Sequence, residues 1–333
     1  MHLTRALRLG AVACIAGTAS AAIPYSVTDT FDASNFFSSF DFFDGGDPTH
    51  GAVKYNNAAI ANTSALAGYA QDAIYVGVDY TTKNPDGGRQ SVRLESKKEF
   101  TQGLIIADIA HMPKQVCGSW PALWTANTAD WPASGEIDII EGVNLQDANS
   151  VTLHTADGCS MNNAASPGTV MASENCNEQS GYTGCGQKTQ NAQNYGNSFN
   201  SNNGGVYALD WTVEHINVYF FPRSAIPADI TAGLPDPSTW GTPTASFTGS
   251  CDIDNHFKNH KIIINTTFCG DWAGAVWGDQ CGALAPTCEQ YVAENPEAFA
   301  EVYWLFNSIK VYKQVATGTA QAKRGLTSRP FMA

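Results

Sequence analysis

The 333-residue chain is acidic, with 18 Lys and Arg against 31 Asp and Glu and a formal net charge of −13. Such a surface repels nucleic acid and anionic membranes, so we expect neither as a partner. It suits a neutral substrate. No linker, repeat or charge block divides the sequence, which favours a single large domain.

The N-terminus has the pattern of a secretory signal peptide. Arg5 and Arg8 supply positive charge, Leu9–Ala16 is an apolar core, and Ala19–Ala21 is a small-x-small cleavage site. The apolar run is too short to anchor the chain across a bilayer. We therefore expect residues 1–21 to be removed, the mature chain to begin at Ala22, and the protein to be secreted to the extracellular space.

Short β-prone runs recur along the mature chain between clusters of Gly, Asn, Asp and Pro. The predicted strands are Ala73–Val78, Ser91–Glu95, Gly103–Ile109, an acidic strand within Gly135–Gly142, Val151–His154, His215–Phe221, Lys261–Asn265 and Ile309–Tyr312. Helical periodicity is nearly absent, although Asn295–Ala300 fits a short helix with Asn295 as cap and Pro296 in its first turn. This pattern predicts an all-β sandwich.

The segment Asp157–Gly205 differs from the rest because it is rich in Asn, Ser and Gly and poor in apolar residues. Such a long loop in a compact domain needs a reason. One alternative is that disulfides alone order it, and the other is that it forms a wall of the substrate cleft. Beyond Tyr312 the chain turns polar, and residues 316–333 are predicted to be a disordered tail.

The cysteines also fit an extracellular protein. Of nine in the sequence, Cys14 lies in the predicted signal peptide. The other eight are Cys117, Cys159, Cys176, Cys185, Cys251, Cys269, Cys281 and Cys288. An even number predicts up to four disulfides, with the connectivity open. A zinc site is the rival interpretation, but the sequence has no C-x-x-C pair.

The acidic strand carries Glu136, Asp138 and Glu141 among β-branched isoleucines. In a regular strand Glu136 and Asp138 share one face and Glu141 points to the other. A β-bulge would return Glu141 to the first face. The glutamates would then lie about 5–5.5 Å apart, the spacing of a retaining glycosidase. The rival interpretations are a solvated strand face and a calcium site.

The flanking residues resemble a known family. Gly118–Trp124, Trp131-Pro132 and Gly135–Asn144 are similar to segments of the fungal laminarinase-type branch of glycoside hydrolase family 16. Val151–Thr155 and Thr267–Gly274 resemble two further family segments. The likeness runs from about residue 25 to about residue 313. It implies a β-jelly-roll, a concanavalin A-like sandwich with a concave substrate cleft, over residues 22–315.

By its position in the motif, the resemblance assigns Glu136 as nucleophile, Glu141 as general acid/base and Asp138 as their hydrogen-bonding neighbour. Crowding three carboxylates raises at least one pKa, which keeps one glutamate protonated. Their titrations are expected to be coupled.

The resemblance also implies a set of substrate-binding residues. They are Arg93, Trp124, Trp131, His154 and Trp272, with Asn144 as a weaker candidate. Trp120 and Trp211 are expected in the core, because tryptophan is usually well buried.

The sequence thus predicts a monomeric, secreted, retaining endo-β-glucanase. Its expected substrates are β-1,3-glucans of the laminarin type and mixed-linkage β-1,3/1,4-glucans. The mechanism requires no cofactor, and no metal site is predicted. Two alternatives stay open: a cell-wall transglycosylase using the same site, and a non-catalytic glucan-binding lectin. Asn62 and Asn265 begin N-x-Thr/Ser sequences and are possible glycosylation sites.

Overall fold

Two large antiparallel sheets form the body of the protein in a computed structural model, which describes residues 24–179 and 183–315. The predicted signal peptide and the predicted tail at 316–333 lie outside the described residues. In the part that the structure describes, no α-helix exceeds seven residues. None has the length and apolar character needed to cross a membrane.

The nineteen described strands are numbered in chain order. They are β1 (Tyr25–Phe31), β2 (Phe40–Phe43), β3 (Val53–Tyr55), β4 (Ala67–Ala70), β5 (Ala73–Gly77), β6 (Arg89–Ser91), β7 (Arg93–Ser96), β8 (Gly103–His111), β9 (Ser119–Ala126), β10 (Glu136–Glu141), β11 (Ser150–His154), β12 (Ser160–Asn162), β13 (Thr169–Met171), β14 (Cys185–Thr189), β15 (Gly205–Trp211), β16 (Ile216–Pro222), β17 (Ala245–Ser250), β18 (Lys261–Phe268) and β19 (Tyr303–Gln314).

The helices are short and lie between strands. The α-helices are α1 (Phe36–Ser39), α2 (Ala58–Thr63), α3 (Gly196–Ser201), α4 (Ala228–Thr231), α5 (Ile253–His256), α6 (Trp277–Gln280) and α7 (Cys288–Glu294). Single 3₁₀ turns occur at Arg223–Ala225, Pro237–Thr239 and Pro296–Phe299, and Gly270–Gly274 is a π-type turn.

The two sheets are nine- and eight-stranded. The first has the order β12-β17-β16-β15-β8-β19-β5-β4, with β1 also paired to β19. The second has the order β13-β14-β11-β10-β9-β18-β7-β2 and places the acidic strand β10 near its middle. A separate parallel pair joins β3 to β6.

One continuous core lies between the sheets. Leu123, Ile137 and Ile264 of the eight-stranded sheet belong to the same buried cluster as Leu209 and Ile309 of the nine-stranded sheet. Burying alternate apolar residues of two sheets against each other is the main source of stability of a sandwich. The all-β prediction is therefore confirmed, and each predicted strand overlaps an observed one.

The predicted short helix after Asn295 is present as a 3₁₀ helix over Pro296–Phe299, with Asn295 at its N-cap and Pro296 in its first turn. The Asn295 side chain makes no capping hydrogen bond, because it donates back to the Tyr291 carbonyl. The loop prediction was wrong. Asp157–Gly205 is not a structureless loop, because it contains β12, β13, β14 and α3. These strands have three to five residues and little apolar alternation, which hides them in the sequence.

All eight predicted disulfide cysteines are paired. The bonds are Cys117–Cys281, Cys159–Cys251, Cys176–Cys185 and Cys269–Cys288. Two of these bonds hold the Asp157–Gly205 segment. Cys159–Cys251 joins it to the residue that follows β17, and Cys176–Cys185 links two positions within the segment.

The predicted β-bulge is present in β10. Asp138 pairs with Trp124 of β9 and Ile140 pairs with Leu123, so Ile139 is an extra residue. The pairing with β11 is shifted at the same place. Ile137, Ile139 and Ile140 all belong to the buried core. The bulge therefore turns two consecutive isoleucines inward, and Glu141 returns to the outer face with Asp138.

A single asparagine satisfies the backbone groups that the bulge removes from the ladder. Asn149 is fully buried; its Nδ2 donates to the Ile139 carbonyl at 2.8 Å, and its Oδ1 accepts from the Glu141 amide at 2.9 Å. Buried backbone groups without partners are costly, so this side chain stabilises the irregular pairing. This role was not predicted from the sequence.

Replacing Asn149 by Ala should lower the free energy of unfolding by about 2–6 kcal/mol, because two buried backbone groups lose their partners at about 1–3 kcal/mol each. Asn307→Ala, which removes an exposed side-chain hydrogen bond to Asp108, is the control and should cost at most about 0.5 kcal/mol. Urea unfolding followed by tryptophan fluorescence measures both. Equal losses would show that Asn149 does not support the bulge.

Candidate active site

The three carboxylates of β10 lie together on the outer face of the eight-stranded sheet, which we call the site face. Glu136 and Glu141 are half-buried and Asp138 is only 2% exposed. Glu136 is opposite His154 in β11, and Asp138 is opposite Thr152. On the other side Asp138 neighbours Trp124 of β9. The bulge thus brings all three predicted acidic residues into one cluster.

Each glutamate accepts a hydrogen bond from a tryptophan. The Nε1 of Trp131 donates to Glu136 Oε2 at 2.8 Å, and the Nε1 of Trp120 donates to Glu141 Oε1 at 2.7 Å. Trp131 is 48% exposed, as a platform at the mouth of a site would be. The prediction that Trp120 is a core residue was wrong: it is half-buried on the site face. Trp211, at 1% exposure, is in the core as predicted.

His154 lies between carboxylates on both sides. Its Nε2 is 3.2 Å from Asp138 Oδ2 and 3.9 Å from Glu136 Oε1. Its Nδ1 is 2.5 Å from Glu178 Oε2. Burial disfavours the charged imidazole, but the Glu178 hydrogen bond and the nearby carboxylates of Asp138 and Glu136 outweigh it. They raise the pKa of His154 well above its usual range. Glu178 was not predicted from the sequence.

Burial and mutual repulsion favour protons on the glutamates. Burial, with the charge of Asp138, raises the pKa of Glu136 to about 8; His154 and the Trp131 N–H act in the opposite direction. Burial and Asp138 also raise the pKa of Glu141 well above its usual range, against the Trp120 N–H and His154. At least one glutamate therefore holds a proton near neutral pH, as an acid catalyst must.

The inner oxygen of Asp138 has no aligned hydrogen bond. Its Oδ2 is buried and faces His154 Nε2, but this contact does not have hydrogen-bond geometry. Such an oxygen is free to accept a hydrogen bond from a protonated Glu136 or Glu141 or from a ligand hydroxyl.

Trp124 is held in place from two directions. Its Nε1 donates to Asn265 Oδ1 at 2.8 Å, and the Arg93 guanidinium lies 5.0 Å from its ring centroid. Arg93 is 6% exposed and forms an ion pair with Glu95 at 2.9 Å. The Arg93 guanidinium, which was predicted to contact sugar hydroxyls, is thus paired with Glu95 and packs against the Trp124 ring.

Trp272 stands at the Glu141 end of the cluster. Its ring packs edge-to-face against Trp120, with centroids 5.7 Å apart. Asn144, the weaker candidate, does not belong to the site. It is 3% exposed, accepts from the Gly118 amide and donates to the Ala273 carbonyl, so its role is to hold the turn that carries Trp272.

Glu136, Asp138 and His154 offer ligand atoms within 4.8 Å of one another, a size that a divalent cation could fit. The chemistry of the set does not suit one. His154 faces a carboxylate at each nitrogen, and an imidazole protonated at both has no lone pair for a metal. We assign no metal to these residues.

Comparison with known proteins gives a consistent result. A family model described as the XgeA-like, catalytic GH16 domain matches residues 40–312. A probable endo-1,3(4)-beta-glucanase of Aspergillus clavatus is 49% identical over 87% of this chain and 46% of its own length. An endo-1,3(4)-beta-glucanase of Arthroderma benhamiae is 44% identical over 97% of this chain and 70% of its own length. The chain spans about half the length of several curated relatives that it matches.

Two solved structures share the fold with a TM-score of 0.82, each covering 87% of this chain and 100% of its own. One is an elongating family 16 β-1,3-glucosyltransferase, 43% identical. The other is laminarinase 16A from Phanerochaete chrysosporium, 42% identical, with 6-O-glucosyl-laminaritriose in its donor and acceptor sites. The predicted β-jelly-roll fold is confirmed.

Replacing Trp120 by Phe should raise the pKa of Glu141 by about one to two units, because a hydrogen bond to a charged group is worth about 1.5–3 kcal/mol and favours the ionised form. Titration of carboxyl-¹³C-labelled glutamates by NMR measures the change. Trp240→Phe is the control, since it removes a similar bond to Asp229 elsewhere. An unchanged Glu141 pKa in Trp120→Phe would contradict the assigned contact.

Proposed function

The chain belongs to the XgeA-like catalytic domains of glycoside hydrolase family 16, and we propose that it is an endo-β-glucanase with retention of anomeric configuration. The proposed substrates are internal β-1,3 bonds of laminarin-type glucans, with mixed-linkage β-1,3/1,4-glucans also cleaved. The observation that carries the proposal is the bulge in β10, which puts Glu136, Asp138 and Glu141 on one face.

In the proposed first step, Glu136 attacks the anomeric carbon while Glu141 protonates the glycosidic oxygen. The C–O bond to the leaving sugar breaks, and a glycosyl ester forms on Glu136. In the second step Glu141 removes a proton from water, which attacks the same carbon and frees Glu136. A separation of about 5–5.5 Å between the two carboxyl groups, the spacing of retaining enzymes, stays a prediction.

The local partners suit these roles. The nucleophile must be ionised, and Glu136 has the His154 imidazolium 3.9 Å away and the Trp131 N–H at 2.8 Å. The acid must be protonated, and burial raises the pKa of Glu141. Asp138, between them, would accept a hydrogen bond from whichever group holds the proton. Glu141 changes from acid in the first step to base in the second, and neither step requires a cofactor.

Sugar rings are proposed to stack on aromatic side chains at both ends of this trio. Trp131 is at the Glu136 end, and Trp120 and Trp272 form a pair at the Glu141 end. Trp124, supported by Arg93, would form the floor between them. Aromatic faces provide apolar contact for the C–H faces of a sugar, while hydroxyls find polar groups at the ring edges.

Transglycosylation by the same site is the main rival, since one similar structure is that of a β-1,3-glucosyltransferase. Both reactions use the same glycosyl–enzyme, so the products must decide. Hydrolysis gives only shorter oligosaccharides from laminarin, whereas transfer also gives longer ones. A lectin without catalysis would release no reducing sugar. Comparison of laminarin, mixed-linkage glucan, lichenan and galactan would define the linkage preference.

Replacing Glu136 by Ala should lower the rate on an aryl β-laminaribioside by a factor on the order of 10⁴ or more, because no covalent intermediate forms. Azide should then restore turnover and give the α-glycosyl azide. Glu141→Ala is the matched variant: its intermediate still forms, so azide should give the β-glycosyl azide. NMR of the products assigns the anomer. The same anomer from both variants would contradict the assigned roles.

We also propose that residues 22–315 form the catalytic domain of a secreted, monomeric protein. Four disulfides and the pattern of residues 1–21 support secretion.

The two candidate glycosylation sites differ in environment. Asn62 is exposed beside a groove lined by Tyr69, Tyr75 and Tyr80. Asn265 is 7% exposed and both its polar atoms are hydrogen-bonded.

The protein secreted from a yeast host should therefore carry a glycan on Asn62 and none on Asn265, because a glycan on Asn265 would displace Trp124. Enzymatic deglycosylation in ¹⁸O water followed by peptide mass spectrometry identifies the modified asparagine. Asn62→Gln should remove the glycan mass, and Asn265→Gln should leave it unchanged. An ¹⁸O label on Asn265 of folded protein, or none on Asn62, would contradict this prediction.

A further inference from the structure

The segment between Cys176 and Cys185 is attached to the backbone next to His154. The Thr155 amide donates to the Cys176 carbonyl at 2.7 Å, and the Glu178 amide donates to the Thr155 carbonyl at 2.9 Å. Thr155 and Asn177 form a parallel bridge. The main chain of Glu178 is thus bonded to Thr155, the residue that follows His154. This bonding places the Glu178 side chain next to the imidazole ring.

The other end of the same segment covers the imidazole ring. Gly184 has a φ of +76°, and a Cβ there would lie 2.6 Å from the Leu153 carbonyl oxygen and 2.7 Å from His154 Nδ1. Only glycine fits this conformation and this close approach. The Cys176–Cys185 bond joins the two ends of this segment. The histidine is therefore held by Glu178 and by the Gly184 backbone.

Among the described residues, the ionisable groups facing His154 are Glu136 and Asp138 from β10 and Glu178 from the opposite side. Gly184, on the remaining packed side, carries no charge. A carboxylate close to each nitrogen favours a proton on each, and therefore favours the imidazolium form of the ring. Its positive charge then lies 3.9 Å from the carboxylate assigned as nucleophile.

We propose that Glu178 is a positioning residue that keeps His154 protonated and correctly oriented, and thereby keeps Glu136 ionised for attack. The inference rests on the proposed function of Glu136. It also gives the Asp157–Gly205 segment a role, because this segment supplies a carboxylate that the cleft needs. Glu178 itself lies on the far side of the imidazole and is not assigned any contact with substrate.

The sign of the effect follows from the charges. Without the Glu178 carboxylate the imidazolium is less stable, so His154 loses its proton at a lower pH. A neutral His154 no longer offsets the burial and the Asp138 charge that raise the pKa of Glu136. The nucleophile then ionises at a higher pH. The acidic limb of the activity profile, which reports the nucleophile, should move upward.

The test compares Glu178→Gln with Glu174→Gln. Gln keeps the shape of Glu and can still accept from Nδ1, but it has no charge. Glu174 is an exposed residue of the wider Asp157–Gly205 segment, so its variant removes one negative charge without removing a contact to His154. For laminarin hydrolysis, the acidic limb of kcat/KM should shift upward by about 0.5–1 pH unit in Glu178→Gln only. At the wild-type optimum kcat should fall about tenfold, with KM changed less than twofold.

If Glu178 has a purely structural role, Glu178→Gln should lower the rate at every pH and leave the acidic limb of kcat/KM unshifted. That result would overturn the proposal. Glu178→Asp provides a second check, since it keeps the charge on a shorter side chain. Its acidic limb should lie closer to the wild type than that of Glu178→Gln. If Glu178→Asp and Glu178→Gln have the same acidic limb, the charge of Glu178 does not cause the shift.

A measurement without turnover separates this inference from the proposed function. ¹⁵N-histidine NMR, with the His154 signals assigned by their loss in His154→Asn, follows ring protonation with pH. The wild-type ring should hold both protons at pH 7, and its pKa should fall by at least about one unit in Glu178→Gln. An unchanged His154 titration would refute the proposal even in an active enzyme. A wild-type protein inactive on all glucans would refute only the proposed function.

Discussion

One extra residue in a buried strand determines what this protein can do. If the six residues of β10 alternated regularly, without a bulge at Ile139, Glu141 would point into the core, where an unpaired carboxylate is very costly. The bulge instead buries two adjacent isoleucines and leaves three carboxylates on the site face. Asn149 makes this possible by hydrogen bonding both backbone groups that the ladder loses. The core and the site therefore depend on the same bulge, because Ile140, which packs in the core, and Glu141, which lies in the site, are consecutive residues.

The site is a balance between burial, which favours protons on the glutamates, and a few groups that favour their charge. The N–H groups of Trp131 and Trp120 and the imidazolium of His154 stabilise the ionised forms of the glutamates. The balance also affects stability. Burial raises the pKa of Glu136 in the folded chain, so the folded and unfolded chains differ in its protonation between its ordinary pKa and about 8. The contribution of Glu136 to stability is therefore present at acidic pH and is lost as the pH rises through this window.

The parts that could be predicted from the sequence are local or periodic. The isoleucines of β10 indicated a strand, its acidic spacing indicated a bulge, and Trp131 lies only five residues before its partner Glu136. The parts that could not be predicted depend on distant contacts. Trp120 reaches Glu141 across 21 residues, and Glu178 reaches His154 across 24, from a polar segment without apolar periodicity. Arg93 was recognised as a charge that needs a partner, but only the fold shows that Glu95, two residues away in the same strand, is that partner.

The central claim is that the bulge presents Glu136 as a nucleophile. A 2-deoxy-2-fluoro-β-laminaribioside with a good leaving group should form an ester that is hydrolysed slowly, because the fluorine destabilises the oxocarbenium-like transition state of both steps. Proteolysis and mass spectrometry of the inactivated protein then locate the attached sugar. The account predicts one fluoroglycosyl group per chain, on Glu136. A label on Asp138 or Glu141, or inversion of the anomeric centre without any covalent adduct, would contradict it.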